Sequence, residues 1–210
     1  LLPYLARLHG QVIRSHDLRI FGLTEPQVQE LLSDLLRRED DLTLAPYAGT
    51  GEVSLHLSAR AADEAACEAR MAPLLAEVRQ RLGGYLYGED ISGLEEAAFR
   101  LCRDRHLTLS AAESCTGGLI AKRLTDVPGA SQIFLGGVVS YTNEVKNHVL
   151  GVPASLLEAY GAVSAPVARA MAVGVRVLTG SDLALSVTGL AGPGGDDRGT
   201  PVGTVFTALS

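Results

Sequence analysis

The stretch that decides the fold reads Leu107-Thr-Leu-Ser-Ala-Ala-Glu-Ser-Cys-Thr-Gly-Gly-Leu-Ile-Ala-Lys-Arg-Leu124. Its first six residues form a short apolar run that is typical of a strand. From Thr116 onward the apolar residues follow a helical spacing. The pattern therefore predicts a strand that ends near Glu113 and a helix that begins near Thr116, with a serine, a cysteine and two glycines at the junction.

This junction could place a nucleophile or hold an anion. The first turn of a helix offers unpaired N–H groups at the positive end of its dipole. Gly117 and Gly118 have no Cβ, so a ligand could approach the backbone closely. The alternative is that Ser114 or Thr116 only caps the helix, as such residues commonly do.

The charge of the chain argues against a general nucleic-acid binder. Up to Asp90 there are nine Lys and Arg against fourteen Asp and Glu, and the remainder has nine against ten. Neither half has the basic surplus that sequence-independent binding to nucleic acid requires. The 210 residues suffice for one large domain or two small ones.

No targeting or cross-linking pattern is visible. No apolar run approaches the roughly 20 residues of a membrane span, and no signal-peptide pattern is present. Three cysteines, an odd number far apart in the chain, argue against a disulfide framework and a zinc cluster. We therefore expect a cytoplasmic location. The start without methionine and the stop inside a strand-like run suggest a fragment of a longer protein.

Residues 1–88 are predicted to form a small α+β domain. Strands are expected over 11–23, 42–47 and 52–59, with helices from Thr24 and over 61–82. This order resembles small RNA-binding modules of the KH kind. The acidic charge and the missing Gly-x-x-Gly clamp speak against RNA binding, which favours a structural or dimer-forming role. The glycine-rich stretch 83–90 is the one composition break that could serve as a linker.

Residues 89–210 alternate between helices and strands. Helices are predicted over 94–105, 143–150, 154–160 and 165–178, and later strands over 133–140, 183–187 and 204–209. The strand over 133–140 is almost wholly apolar, as a strand covered on both faces would be. Three strands run into polar or glycine-rich motifs, which begin at Ser114, Tyr141 and Thr188. Because ligands bind beyond the carboxyl ends of parallel strands, these motifs are expected to converge.

The converging residues predict a nucleophile–base pair without histidine. Ser114 would attack a carbonyl, and Lys146 would take its proton if burial lowered the lysine pKa. N–H groups around Thr116 to Gly118 would hold the oxyanion, and Tyr141 and Thr188 could orient the base or the attacked group. Lysine is rare here, with two lysines against sixteen arginines. A chain biased to arginine could retain a lysine where a proton must be lost.

Rival interpretations of this pair stay open. Lys146 could be a solvated lysine at the start of a helix. Cys115 could be the nucleophile, because a cysteine at a helix N-terminus can be reactive, or simply a small buried residue.

The loop from Gly189 to Gly203 holds six glycines and two prolines. Its backbone N–H groups could contact a phosphate. Asp196 and Asp197 lack a partner at metal-ligand spacing, which favours a solvated turn over a metal site.

Five ordered motifs together resemble the C-terminal domain of the CinA family, a family of nicotinamide mononucleotide deamidases. They are Ala112-Glu-Ser-Cys-Thr-Gly-Gly118, Ser140-Tyr-Thr-Asn-Glu-Val-Lys146, Gly161-Ala-Val-Ser164, Thr188-Gly-Leu-Ala-Gly-Pro-Gly-Gly195 and Pro201-Val-Gly-Thr-Val205. Residues 1 to about 90 resemble the middle, KH-like segment of that family. The family's N-terminal domain, which is similar to molybdopterin-binding proteins, has no counterpart here.

The resemblance implies an α/β fold, a three-layer α/β/α sandwich over 89–210, and a homodimer. It implies hydrolysis of nicotinamide mononucleotide to nicotinate mononucleotide and ammonia, with no metal or other cofactor. Ser114 would be the nucleophile, Lys146 the base and Tyr141 their partner, with Thr188 at the wall of the site. The implied substrate-binding residues are Thr116, Gly117, Gly118, Asn143, Glu144, Gly189, Ala191 and Gly192.

Two other functions remain as alternatives. The chain could be a nucleotide-binding or regulatory module without turnover, or an RNA-associated protein acting through residues 1–88. No membrane partner is expected, and the acidic charge counts against nucleic acid.

Overall fold

A computed structural model describes residues 11–38 and 41–210. The chain divides between Ala97 and Ala98 into two compact units. Within the described ranges, every helix is too short or too polar to cross a membrane.

The first unit is an antiparallel five-stranded sheet with two main helices, and its strand order is β2-β3-β4-β1-β5. In chain order the elements are β1 Val12–Ile20, α1 Glu25–Leu31, β2 Arg37–Arg38, β3 Leu42–Ala48, β4 Val53–Ala61, α2 Glu64–Leu82 and β5 Leu86–Glu89.

Hydrophobic alternation explains the core of this unit. Along β4 the buried positions are Val53, Leu55, Leu57 and Ala59, every second residue, so one face of the sheet packs on the helices. The predicted start of α1 is confirmed: the Thr24 N–H and hydroxyl both donate to the Gln27 side chain, at 2.8 and 2.9 Å.

The stretch 83–90 is not an open linker, as its glycines suggested. Gly83–Tyr85 forms a single 3₁₀ turn, and β5 follows at once and pairs antiparallel with β1. The glycines serve the sharp turn from α2 into the sheet, since Gly83 has a φ of +50°. The short strand β2 was also not predicted.

From residue 94 onward the chain forms a four-stranded sheet flanked by helices, with strand order β7-β6-β8-β9. In chain order the elements are α3 Leu94–Asp104, β6 Leu109–Glu113, α4 Leu119–Thr125, β7 Phe134–Val139, α5 Asn143–His148, α6 Ala154–Tyr160, α7 Ala165–Thr179, β8 Leu183–Gly189 and β9 Val205–Leu209. β6 is central and parallel to both β7 and β8, whereas β9 is antiparallel to β8.

Two core clusters occupy opposite faces of this sheet. Ala112 of β6 belongs to the cluster formed with α7, which includes Met171 and Val175. Leu109, three residues earlier on the same strand, packs with Phe99 of α3 in the other cluster. Since strand residues alternate between faces, helices cover both sides of the sheet, and the predicted three-layer α/β/α arrangement is confirmed.

The prediction for β7 was wrong in one respect. This strand lies at the edge of the sheet, and its residues alternate between half-buried and exposed. Leu135 and Val139 are 47% and 49% exposed. An apolar strand sequence therefore did not mean a strand covered on both faces.

Candidate active site

The predicted convergence of strand ends is observed. Ser114 directly follows the central strand β6, and its N–H donates to Val187 O on β8 at 3.0 Å. On the other side, Ser140 N–H donates to Glu113 O at 2.7 Å, which holds the end of β7 against β6. The carboxyl ends of three parallel strands thus meet at Ser114.

Lys146 reaches this point from α5. The Thr142 hydroxyl caps the helix by accepting from Val145 N–H at 3.3 Å. Lys146 Nζ lies 3.0 Å from Ser114 Oγ and donates to Ser140 O at 2.6 Å. Only 1% of Lys146 and 7% of Ser114 is exposed. The lysine is therefore a buried neighbour of the serine, and the alternative of a solvated side chain is wrong.

Burial also changes the acid–base behaviour of Lys146. Removal of the ammonium from water lowers the pKa of Lys146, and this effect is larger than the opposite, charge-based effect of the nearby Cys115. No described carboxylate contributes to this balance. The neutral amine, which can accept a proton, is thereby favoured.

The turn after β6 differs from the prediction. α4 begins at Leu119, three residues later than expected, and residues 114–118 form a tight turn in which Gly118 has a φ of +103°. The N–H groups at the start of α4 are already occupied. The buried Glu113 carboxylate accepts from Gly118, Ile120 and Ala121 N–H at 3.1, 3.0 and 2.8 Å. The N–H groups that the sequence offered to an anion are therefore paired with Glu113.

This arrangement narrows the groups that could hold an oxyanion. Gly117 N–H donates to Ser114 O at 3.1 Å, and Gly118 N–H belongs to Glu113. Of the N–H groups predicted to hold the oxyanion, those around Thr116 to Gly118, the two glycine N–H groups are thus already paired within the chain. Within the described chain, the N–H groups of Cys115 and Thr116 have no such partner.

A cavity of about 300 Å³ opens beside the Ser–Lys pair. Its lining comprises Ser114, Cys115, Tyr141, Lys146, Ala162, Val163, Thr188, Gly189, Leu190, Ala191 and Gly192. Position 189 requires a glycine because neighbouring side chains approach its backbone closely. A Cβ there would lie 3.0 Å from Cys115 Sγ and 2.9 Å from a Val205 methyl group. Thr188 is buried, and its hydroxyl donates to Ala162 O at 2.9 Å. Thr188 thus holds one wall of the cavity.

Several predicted site residues lie outside this cavity. They are Thr116, Gly117, Gly118, Asn143 and Glu144. The Thr116 hydroxyl is buried and has no hydrogen-bond partner among the described residues. Tyr141 does line the cavity, but it is 73% exposed. Among the described residues, no hydrogen bond joins its hydroxyl to Ser114 or Lys146.

Three cavity residues were not predicted as site residues: Leu190, which lies in the predicted glycine-rich loop, and the pair Ala162 and Val163. Ala162 and Val163 lie in the connection between α6 and α7, inside the motif Gly161-Ala-Val-Ser164, and contribute no reactive side chain. Their motif was visible in the sequence, but nothing in their chemistry indicated a place in the site. Glu113 was missed for another reason: it was taken as the end of the strand.

The described residues contain no group of three or more His, Cys, Asp or Glu side chains placed to hold a metal ion. Asp196 instead accepts from the N–H groups of Thr200 and Arg198 at 2.8 and 3.1 Å. The Thr200 side chain, followed by these two N–H bonds, lowers the pKa of the Asp196 carboxyl. The N–H bonds also hold the turn of the glycine-rich loop.

The second unit is thus an α/β/α sandwich with a buried Ser–Lys pair at the carboxyl ends of its parallel strands. Two family descriptions match the chain. "CinA C-terminal domain" matches residues 91–210, and "Damage-inducible protein CinA KH domain" matches residues 15–88. The chain belongs to the CinA family.

Individual relatives agree with this assignment. A putative competence-damage inducible protein of Symbiobacterium thermophilum is 52% identical over 99% of the chain and 50% of its own length. A CinA-like protein of Desulfovibrio desulfuricans is 46% identical over 100% of the chain and 49% of its own length. The chain therefore spans about half the length of these curated relatives.

Solved structures of the same superfamily resemble the chain. The competence damage-inducible protein A of Klebsiella pneumoniae is 39% identical, with a TM-score of 0.54 over 55% of this chain and 72% of that one. A CinA superfamily protein of Escherichia coli is 37% identical, with a TM-score of 0.55 over 55% of this chain and 67% of that one.

Proposed function

We propose that this chain hydrolyses the carboxamide of nicotinamide mononucleotide, giving nicotinate mononucleotide and ammonia, with Ser114 as nucleophile and Lys146 as base. One observation carries the chemical part of the proposal: Lys146 Nζ lies 3.0 Å from Ser114 Oγ, and both side chains are buried. The family resemblance supplies the substrate.

The first half of the reaction uses the neutral amine of Lys146. Ser114 Oγ attacks the carboxamide carbon, and its proton passes to Lys146 Nζ, which stays anchored on Ser140 O. The negative charge that develops on the carbonyl oxygen would be held by N–H groups, for which Cys115 and Thr116 offer free donors. The Lys146 ammonium then returns the proton to the leaving nitrogen, and ammonia departs.

The second half repeats the same proton movements with water. Lys146 takes one proton from a water molecule, whose oxygen attacks the acyl–Ser114 ester, and passes it to Ser114 Oγ as the ester bond breaks. The carboxylic acid product releases its remaining proton to solvent and leaves as the carboxylate. A lysine with a lowered pKa suits both halves, because it has to accept a proton at neutral pH and release it again.

The cavity fits a small planar amide rather than a large partner. At about 300 Å³ it lies at the lower end of small-molecule sites. Thr188 and Ala162 define one wall, and the loop residues Gly189 to Gly192 define another. The remainder of the nucleotide would extend toward that loop.

The test is ammonia release from nicotinamide mononucleotide by the parent, by Ser114→Ala and by Ser131→Ala, an exposed serine that serves as the matched control. We expect release by the parent and by the control only. Release by Ser114→Ala would transfer the nucleophile to Cys115. Tight nucleotide binding without ammonia release would favour the binding module instead.

The expected interaction partners of the chain, a second copy of itself and no RNA, are predictions. A homodimer is tested by sedimentation velocity, and the absence of RNA binding by titration at several salt concentrations. The cytoplasmic location and the division into domains 1–88 and 89–210 are likewise predictions.

A further inference from the structure

We propose that Glu113 is a positioning residue for the reaction: its carboxylate shapes the turn that carries Ser114, and its main-chain carbonyl ties that turn to the strand that anchors Lys146. The inference deepens the proposed function and rests on it for the identity of the reaction, although not for the geometry.

The side chain of Glu113 is placed where it can do this. It is 1% exposed, and both carboxylate oxygens are acceptors. One oxygen receives the N–H groups of Gly118 and Ile120, and the other that of Ala121. The residue before the nucleophile is therefore bonded to the last residue of the turn, Gly118, and to Ile120 and Ala121 at the start of α4, so the turn 114–118 is closed at both ends.

The backbone of Glu113 makes the second connection. Its carbonyl accepts from Ser140 N–H at 2.7 Å and from the Ser140 hydroxyl at 3.3 Å. Ser140 O in turn accepts from Lys146 Nζ at 2.6 Å. One residue thus links the turn of the nucleophile to the anchor of the base, and the 3.0 Å contact between Lys146 and Ser114 depends on both connections.

Glu113 itself does not touch the reacting atoms. Its carboxylate is bonded to N–H groups at the start of α4, whereas Ser114 Oγ contacts Lys146 Nζ. Glu113 is also absent from the lining of the cavity. Its effect should therefore appear in the rate of the chemical step more than in substrate binding.

The experiment measures how fast Ser114 reacts with a fluorophosphonate, followed by intact mass, beside kcat and KM for ammonia release. The reagent needs only the nucleophile: the Ser114 oxygen bonds to phosphorus, fluoride leaves, and the proton passes to Lys146. The variants are Glu113→Gln, Glu113→Ala and the exposed control Glu158→Gln.

In Glu113→Ala we expect labelling and kcat to fall about 100-fold with little change in KM, since misplacement by about 1 Å can cost that much. Glu113→Gln keeps one acceptor but places an NH₂ group against an N–H, so we expect a loss of about tenfold, which corresponds to one hydrogen bond. Added formate, which fits the vacated carboxylate volume, should restore part of the rate to folded Glu113→Ala. The control should match the parent.

Several results would overturn the inference. It fails if folded Glu113→Gln reacts at the parent's rate, or if the loss in folded Glu113→Ala does not respond to formate, since a merely structural loss has no reason to be saturable by an anion. If Glu113→Ala does not fold, Glu113→Gln decides. If the parent protein is labelled at Ser114 but releases no ammonia, the proposed substrate is wrong. The role of Glu113 is then decided by the labelling rates of the variants alone. A parent that is not labelled at all refutes both.

Discussion

The two units bury different kinds of side chain. In the described part of the first unit the buried side chains are apolar, including Leu18, Leu55 and Met71, whereas the buried polar and charged side chains all belong to the second. These nine are Ser110, Glu113, Ser114, Ser140, Lys146, Ser164, Ser181, Ser186 and Thr188. A buried polar group costs stability unless it is bonded. The second unit therefore keeps these nine buried polar groups only with partners, as in the pair of Ser110 and Ser181. Three of the nine, Ser114, Lys146 and Thr188, line the cavity.

The strongest test of this contrast is Lys146→Met. Without the base, ammonia release should fall by about 10²–10⁴-fold, the usual contribution of general base catalysis. The matched control is Lys122→Met, because Lys122 is exposed and paired with Asp126 on the surface. A Lys146→Met protein as active as the control would contradict the role of Lys146.

The same variant should be more stable than the parent at neutral pH. The pKa of Lys146 is lowered in the folded state, so the unfolded chain binds more protons between that pKa and the ordinary value of 10.5. The parent therefore gains stability as pH rises through this window. Lys146→Met lacks this dependence, and its advantage in melting temperature should shrink from pH 7 toward pH 10. An advantage independent of pH would mean that the lysine is charged when buried.

Leu57→Ala tests the other side of the contrast. Leu57 is fully buried in the apolar core of the first unit, so the substitution should lower the free energy of unfolding by about 2–5 kcal/mol. Ammonia release per folded molecule should not change, because this core carries stability only. Denaturant titration and activity at a temperature where the variant is folded provide the two readouts. A specific loss of kcat would show that the first unit contributes to the site.

A smaller effect is expected at the wall of the cavity. Thr188→Val removes the donor to the partly buried Ala162 O and should cost about 0.5–1.5 kcal/mol of stability, the usual net contribution of one hydrogen bond. The wall would loosen, so KM should rise severalfold while kcat changes less. Thr188→Ser keeps the hydroxyl and should behave like the parent. Equal kinetics in Thr188→Val and Thr188→Ser would assign the wall no role in binding.

The smallest effect is expected in the first unit, at a charged cluster near its surface. His16 lies 3.0 Å from Glu68 and 2.6 Å from Asp90, and these two hydrogen bonds raise the pKa of His16. The contribution of the cluster to stability is fully present below pH 6.5 and is lost as the pH rises through the pKa of the folded state. Partly exposed pairs of this kind contribute below about 1 kcal/mol.

His16→Gln should accordingly destabilise the first unit at pH 5.5 and have no effect at pH 9. Urea unfolding at the two values measures the difference. A variant that is equally destabilised at both would show that packing, rather than charge, holds this cluster.

Much of the second unit could be predicted because its signals are local. Strand ends were marked by Ser114 and Thr188, and parallel strands bring such ends together. The scarcity of lysine drew attention to Lys146, which the structure places in a buried position beside Ser114. The hydrogen bonds that place it on Ser140 O required the structure.

The features that could not be predicted depend on tertiary contacts and strand pairing, which local sequence patterns do not encode. The glycine-rich turn suggested free N–H groups for an anion, but the preceding Glu113 supplies the anion itself. The contact between the Glu113 carboxylate and the start of α4 is a tertiary contact, and α4 starts later than expected. Hydrophobic periodicity in the sequence does not predict such a contact. The position of β7 at the sheet edge likewise depends on pairing rather than on hydrophobicity.

The most direct test of the central claim is the titration of the Lys146 amine itself. The chain has only two lysines, so lysine labelled with ¹³C at Cε yields two NMR signals, and Lys122→Arg assigns them. We predict that the Lys146 signal titrates well below the ordinary lysine pKa of about 10.4. A Lys146 signal that titrates at the ordinary value would contradict a buried neutral amine poised to take the proton of Ser114.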